Sequence, residues 1–260
     1  MASCSALSRR WRAFRTGLAF VVFGLGAVVL ATIILPMLSL WPSRDHELRA
    51  QRAVQLSLCL FTWFMQLLCL IRVSWKHADR LTAHPVIFIA NHPSLIDVVL
   101  ILGRLRQADC IVKHATLTNP FLRLVVRKAG YLTNDGGANL LHCAAHRLHS
   151  GRCLLVFPEG TRSPAGSLGR FRRGAARVAL ESNCPIIPLV LTCEPPTLLR
   201  GQKWHDVPDR PAHYTLDVQQ PIIPRDWVDA ERPRSLAARR LTAELRRLYE
   251  TKLSTEMAHP

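Results

Sequence analysis

Acidic residues are scarce in this chain of 260 residues: 18 Asp and Glu stand against 34 Lys and Arg, for a formal charge of +16. Such a surplus points to anionic partners: nucleic acid, anionic lipid or a phosphorylated substrate. Aromatic residues are also few, at 7%. Many lie in apolar runs and do not interleave with the basic residues, so the stacking platform of a single-strand binder is absent and no nucleic-acid partner is expected. No C-x-x-C pair occurs among the eight cysteines. They read as small buried hydrophobes in a reducing compartment, with neither a disulfide framework nor a zinc site. No G-x-S-x-G occurs, and Gly166-Ser167-Leu168-Gly169 has the wrong spacing for a nucleophile elbow, which argues against a serine hydrolase. Internal repeats and low-complexity tracts are missing too.

What is abundant is apolar sequence, 49% of the chain. Arg9, Arg10, Arg12 and Arg15 precede a stretch, residues 16–43, without any charge. Residues 17–40 would measure about 36 Å as a helix, enough to cross a hydrocarbon core of roughly 30 Å. A signal peptide would have a shorter apolar core and a small-residue cleavage site, and neither is present. A second uncharged run, residues 53–71, would be about 28 Å long. Its polar residues Gln55, Thr62 and Gln66 fall near one side, as in a helix packed against a partner or lying in an interface. Residues 1–75 therefore read as a hydrophobic two-helix membrane region. The basic N-terminal flank places the N-terminus inside. Both runs crossing, one crossing, or both dipping into one leaflet all remain open, with the cytoplasmic face the expected place of the remaining domain.

From about residue 77 short apolar runs alternate with helical stretches. Strands are predicted at 86–90, 110–113, 153–157, 186–191 and 213–218, and helices at 95–105, 120–129, 139–150, 174–182 and 235–253. This alternation predicts an α/β domain, residues 76–225, with a largely parallel sheet flanked by helices. Residues 194–211 read as a long loop. Residues 226–260 form a C-terminal amphipathic helix whose Leu241, Leu245 and Leu248 make one stripe.

Two stretches carry the chemistry. Asn91-His92-Pro93-Ser94-Leu95-Ile96-Asp97 follows the first predicted strand. Pro93 fits the first position of a helix and Ser94 fits an N-cap. With His92 outside the helix, its ring can fold back to Asp97, and an imidazole oriented by a carboxylate is a general base. An Asp five residues after some His is expected by chance roughly half the time, so on these residues alone a helix-capping corner and a catalytic dyad both stand. The second stretch, Phe157-Pro158-Glu159-Gly160-Thr161-Arg162-Ser163, also follows a predicted strand. Its glycine permits close backbone approach and Arg162 offers a planar fork for phosphate. Arg170, Arg172 and Arg173 follow just downstream.

Together these stretches resemble the motifs of the glycerolipid acyltransferases, the family that includes 1-acylglycerol-3-phosphate acyltransferase. NHPSLID resembles the first motif, N-H-x-x-x-x-D; FPEGTRS the third; LGRFRRG, residues 168–174, its L-x-x-F-x-x-G continuation; and residues 185–190 the proline-containing strand motif. Lys113 matches the lysine that commonly ends the family's second strand. The resemblance covers roughly residues 83–191, and the N-terminal apolar pair resembles the family's membrane attachment. It implies transfer of a fatty acyl group from acyl-CoA or acyl carrier protein to the hydroxyl of a lysophospholipid such as 1-acylglycerol-3-phosphate. It further implies His92 as general base, Asp97 holding its imidazole, and Glu159, Gly160, Thr161, Arg162 and Lys113 binding substrate, with Arg162 on the acceptor phosphate. Neither a metal nor another cofactor is implied. The expected partners are membrane lipids, the lysolipid acceptor and the acyl donor. One position departs from the pattern: Gly136 stands where many members carry an arginine in the second motif. This leaves room for a lyso-aminolipid or polyene-type acceptor. A non-catalytic lipid-binding protein that keeps the fold is the alternative of another class.

Overall fold

The computed structural model describes residues 2–40, 45–81, 85–134, 139–164, 166–228 and 233–258. Its strands are β1 (Ile71–Lys76), β2 (Ile87–Ala90), β3 (Ala108–Lys113), β4 (Leu132–Asn134), β5 (Cys153–Val156), β6 (Ile186–Glu194) and β7 (Ala212–Val218). They form one sheet in the order β1-β7-β6-β2-β5-β3-β4. Every neighbouring pair is parallel except β6 with β7. The helices are α1 (Ala2–Val29), a π-helical turn (Leu30–Ile34), α2 (Leu35–Leu40), α3 (His46–Leu67), α4 (Asp97–Arg104), α5 (Pro120–Lys128), α6 (Asn139–His149), α7 (Gly174–Ser182) and α8 (Arg234–Ala258). This is the expected α/β architecture.

β2 lies at the centre, and all four of its residues are buried. Successive side chains point to opposite faces. Phe88 and Ala90 join one apolar layer, with Val99 and Ile101 of α4, Met65 of α3 and Ala19 of α1. Ile87 and Ile89 join the other, with Leu148 of α6, Val178 of α7, and Leu241, Leu245 and Tyr249 of α8. A strand covered on both faces reads as an unbroken apolar run, which is why β2 was legible. Docking of α8 buries Leu241 and Leu245 of the expected stripe completely or nearly so, and the Tyr249 hydroxyl donates to the Ile89 carbonyl.

Two strands were missed. β1 alternates buried and exposed residues as an edge strand does. Its Arg72 and Lys76 read in the sequence as charges flanking an apolar run, so the domain boundary expected at residue 75 falls inside β1. β4 has only three residues, too few for a period.

The N-terminal region differs from expectation. Among the described residues one helical stretch, Arg9–Leu40, is long and apolar enough to cross a membrane by length and composition. The second run forms α3, which is not such a helix. α3 carries Glu47, Arg49 and Arg52 near its start and buries Gln51 and Gln55 beside Ala50, Val54 and Met65. Gln51 Nε2 donates to Asp109 Oδ1 (2.8 Å) and to the Ala129 carbonyl (2.9 Å). Asp109, fully buried at the start of β3, also accepts from Arg147 (3.2 Å) and Arg152 (2.8 Å), which reach Glu47 as well, at 2.9 and 2.7 Å. Burial pushes the Asp109 carboxyl up despite these arginines. Glu47 is also pushed up by burial, but it is more exposed, and Arg152 and Arg147 bring it below the usual carboxylate range. Such pairs fix how α3 sits on the domain more than they add stability. The outward side of α3 exposes Leu56, Leu60, Trp63 and Leu67, and α1 exposes Trp11, Phe14, Val21 and Leu25.

Candidate active site

The site is built on the carboxyl ends of adjacent parallel strands β2 and β5, where open α/β sheets bind ligands. After β2 ends, the Asn91 side chain continues the ladder to β6. Its amide donates to the Leu191 carbonyl and its oxygen accepts the Leu191 N–H, both at 2.8 Å. His92 leaves the sheet at that fixed point.

α4 begins at Asp97, later than expected, so Pro93 is not its first residue and Ser94 is not its N-cap in the strict sense. Residues 94–97 instead make a turn closed by the Asp97 side chain, whose Oδ2 accepts the Ser94 N–H at 2.7 Å. That spacing is the returning half of a capping box, an acid reaching back three residues. The same Oδ2 accepts from His92 Nδ1 at 2.9 Å. Capping corner and dyad were rival readings of the sequence; one oxygen serves both. With Nδ1 donating, Nε2 carries the lone pair. Asp97 is fully buried and the His92 side chain is 15% exposed. Burial pushes the Asp97 carboxyl up against the opposing bonds from His92 and Ser94. Ser94 Oγ in turn lies 2.8 Å from the Tyr214 hydroxyl on β7, and both residues are without exposed surface. Asn91 and Tyr214 were not singled out in the sequence. Asn91 stood in the motif, but nothing in the chain's order links Tyr214 to it.

The Phe157 ring, just past β5, lies 4.5 Å from the His92 ring. Glu159 is 3% exposed and both its oxygens are occupied. Oε1 accepts the His92 N–H (3.0 Å) and the Ser163 hydroxyl (2.8 Å), and Oε2 accepts the Gly169 N–H (2.8 Å). The Ser163 N–H donates to the His92 carbonyl at 2.7 Å. Glu159 is therefore placed as a brace between the two motifs, not at a surface where it could meet a headgroup. Gly169 is required here, because a Cβ on it would overlap the Glu159 carboxylate. Gly160 has φ +66°, and Gly160 and Thr161 are half-buried.

Arg162 is half-buried, and its Nη1 donates to the carbonyls of Leu198 (3.1 Å) and Leu199 (3.0 Å). Leu198 has φ +54°, and its carbonyl also accepts the Leu95 N–H at 3.2 Å. Arg162 thus pins the long loop after β6 onto the corner between His92 and Asp97. Lys113 is exposed at the end of β3, two strands away, about 10 Å across the sheet from the end of β2. Gly136 lies outside the described residues. Arg147, the next arginine along the chain, is engaged beside Asp109 at the start of β3 and so at the opposite end of the sheet from His92.

An apolar cavity of about 190 Å³ borders the corner. Leu95, Ile96 and Val99 form one wall, Phe20, Phe23, Phe61 and Met65 another, and Leu198 a third, with Arg12 and Arg210 also lining it. The loop crosses α1 there: a Cβ on Gly17 would sit 3.2 Å from the Trp204 ring. Among the described residues no group of three or more His, Cys, Asp or Glu could hold a metal ion.

The site thus sets a histidine bonded to a buried carboxylate near an apolar cavity, at the carboxyl end of an α/β sheet. This chain matches the family model described as Acyltransferase over residues 71–192. It is 24% identical to a 1-acyl-sn-glycerol-3-phosphate acyltransferase of Pseudomonas aeruginosa over 240 residues, 90% of this chain and 88% of that protein. It is 31% identical to a lyso-ornithine lipid O-acyltransferase of the same organism over 164 residues, 60% of this chain and 62% of that one. A Cocos nucifera 1-acyl-sn-glycerol-3-phosphate acyltransferase is 32% identical over 148 residues, 54% of this chain and 47% of its own. The fold is shared with the crystal structure of the 1-acyl-sn-glycerophosphate acyltransferase of Thermotoga maritima, at a TM-score of 0.66, 22% identity, and coverage of 91% of this chain and 97% of that one.

Proposed function

We propose that the enzyme transfers a fatty acyl group from a thioester, acyl-CoA or acyl carrier protein, to the hydroxyl of a lysophospholipid of the 1-acylglycerol-3-phosphate type. The observation that carries this reading is His92 bonded through Nδ1 to a buried Asp97, with a second ring nitrogen left to act beside an apolar cavity. His92 Nε2 takes the proton of the acceptor hydroxyl as its oxygen attacks the thioester carbonyl. Asp97 holds the imidazole and stabilises the imidazolium. Collapse of the tetrahedral intermediate breaks the C–S bond, and the leaving thiolate recovers the proton from His92. No acyl-enzyme is needed, because the thioester is already activated. The turn at residues 159–162 frames the acceptor side through Gly160, Thr161 and Arg162, with Lys113 further along the sheet edge. The cavity takes an acyl chain.

Membrane association is part of the same proposal. α1 does not leave the domain: Ala19 packs on the core, and further along Leu30, Ala31 and Leu35 pack with Ala50, Val54, Val125 and Ala129. With their inner sides held, the exposed apolar sides of α1 and α3 suit insertion into one leaflet. The exposed Arg10 would meet the anionic headgroups of a cytoplasmic surface, while Arg9 is paired with Asp209, Arg15 is bonded to the Leu68 carbonyl and Arg12 lines the cavity.

A second acceptor class has support of its own. The likeness to a lyso-ornithine lipid O-acyltransferase and the glycine at position 136 favour a lyso-aminolipid as the alternative acceptor. The test is acyl transfer by membranes containing the protein or His92→Ala, assayed with acyl-CoA and each lysolipid. The expected result is turnover by the native enzyme and loss of about three orders of magnitude or more in the variant, whose fold is retained. Near-normal turnover by His92→Ala would remove the catalytic assignment.

A further inference from the structure

Two of the arginines that could meet the acceptor's charge are already engaged. Arg162 holds the carbonyls of Leu198 and Leu199, and Arg147 is ion-paired at the far end of the sheet. Arg172 is placed differently. Its backbone N–H donates to the Pro158 carbonyl at 2.7 Å, which fixes it to the turn after β5. Its side chain lies across Gly160, where a Cβ would sit 3.1 Å from Arg172 Nε and 3.5 Å from Cζ. Glycine at 160 therefore supplies both the positive φ and the bare surface on which the guanidinium rests. The same turn is bonded to the His92 backbone through Glu159 and Ser163. Arg172 is exposed, and its guanidinium, lying over Gly160, makes no hydrogen bond or ion pair among the described residues, so its fork of donors is open to a ligand.

We propose that Arg172 binds the anionic group of the acceptor, a phosphate monoester or a carboxylate, at the edge of the turn formed by residues 159–162; this rests on the acyltransferase reading above. An anion held there lies beside the motif that carries the base, and a lysolipid's free hydroxyl lies only a few bonds from its headgroup charge. Arg172 is thus a specificity-determining residue: it selects acceptors by headgroup charge and takes no part in the proton transfer.

The test uses the full-length protein in membranes with acyl-CoA as donor and two acceptors in separate arms, lysophosphatidate for the phosphate and lyso-ornithine lipid for the carboxylate. Arg172→Gln is expected to raise KM for the preferred acceptor about tenfold or more, the scale of one charge-assisted contact, with kcat and donor KM little changed. Arg172→Lys recovers part of that loss. Arg177→Gln, which removes the same charge from an exposed position on α7, leaves KM unchanged. An unaltered acceptor KM in Arg172→Gln, or an equal loss in Arg177→Gln, overturns the proposal. Should the native enzyme acylate neither lipid, the acyltransferase reading fails, and the arginine is then decided by thermal shift of the detergent-solubilised protein with each lysolipid. A shift in the native protein that Arg172→Gln lacks upholds the site; equal shifts, or none in either protein, overturn it.

Discussion

Glu159→Gln separates two meanings of the glutamate in the FPEGTRS stretch. As a headgroup ligand it would act on acceptor binding; as a brace it acts on the position of His92. Three donors converge on its carboxylate: the His92 N–H, the Ser163 hydroxyl and the Gly169 N–H. Glutamine has the same shape but one acceptor oxygen. If that oxygen keeps His92 and Ser163, the new amide NH2 faces the Gly169 N–H, donor against donor. A hydrogen bond to a charged group contributes about 1.5–3 kcal/mol, and a buried donor left unpaired costs about 1–3 kcal/mol. The two surviving bonds also lose the carboxylate's charge and roughly half their strength. The sum is about 4 kcal/mol, which for a domain of this size lowers Tm by roughly 10 °C. A misplacement of the base by about 1 Å is worth roughly a hundredfold in rate, so kcat should fall by about that factor while acceptor KM holds. Gly169→Ala attacks the brace from its other side, since the new methyl overlaps the Glu159 carboxylate, and it should reproduce the same loss of kcat. Steady-state kinetics with acyl-CoA and lysophosphatidate, alongside thermal unfolding, are the assays. A tenfold rise in acceptor KM with kcat and Tm unchanged would refute the brace.

Other outcomes follow from the same geometry. Ala19→Phe adds a ring to the wall of the apolar cavity, which Ala19 lines beside Phe20 and Phe23, at a cost of about 1–3 kcal/mol of overpacking, and should shift the acyl-chain profile to shorter chains; an unchanged profile in a competition assay would place the chain elsewhere. Burial pushes the Cys110 thiol up to about 12 and the Cys193 thiol up to about 11. At pH 8 about one Cys110 in ten thousand is then a thiolate, so alkylation followed by mass spectrometry should mark exposed Cys143 and spare Cys110; equal labelling rates would contradict the packing around β3.

Those cysteines also show where composition misleads. Reading all eight as buried was right for Cys110, Cys153 and Cys184, but Cys59, Cys69 and Cys143 are exposed. Apolar neighbours in sequence say that a segment is apolar, not which side of it faces inward. The same ambiguity governs α3. Its apolar run was plain, yet both of its sides carry apolar residues: Val54 and Met65 pack inward beside Gln51, which reaches Asp109, while Leu60 and Trp63 lie outward.

By itself the sequence determined the alternation of strands and helices, because β2, β5 and β6 are covered on both faces and leave unbroken apolar runs. It left His92 within reach of Asp97, with a capping corner and a dyad both open, and the fold joined the two on one Asp97 oxygen. What only the tertiary structure decided is how residues far apart in the chain share atoms. Glu159 braces His92 because β5 pairs with β2. Tyr214 reaches Ser94 because β7 folds back antiparallel on β6. Arg162 is held by Leu198, and Arg172 lies over Gly160. Residue type tells what an arginine or a glutamate can bind. Which partner it has follows from the sheet order and the closing of the loops, and these are set by packing across the whole domain.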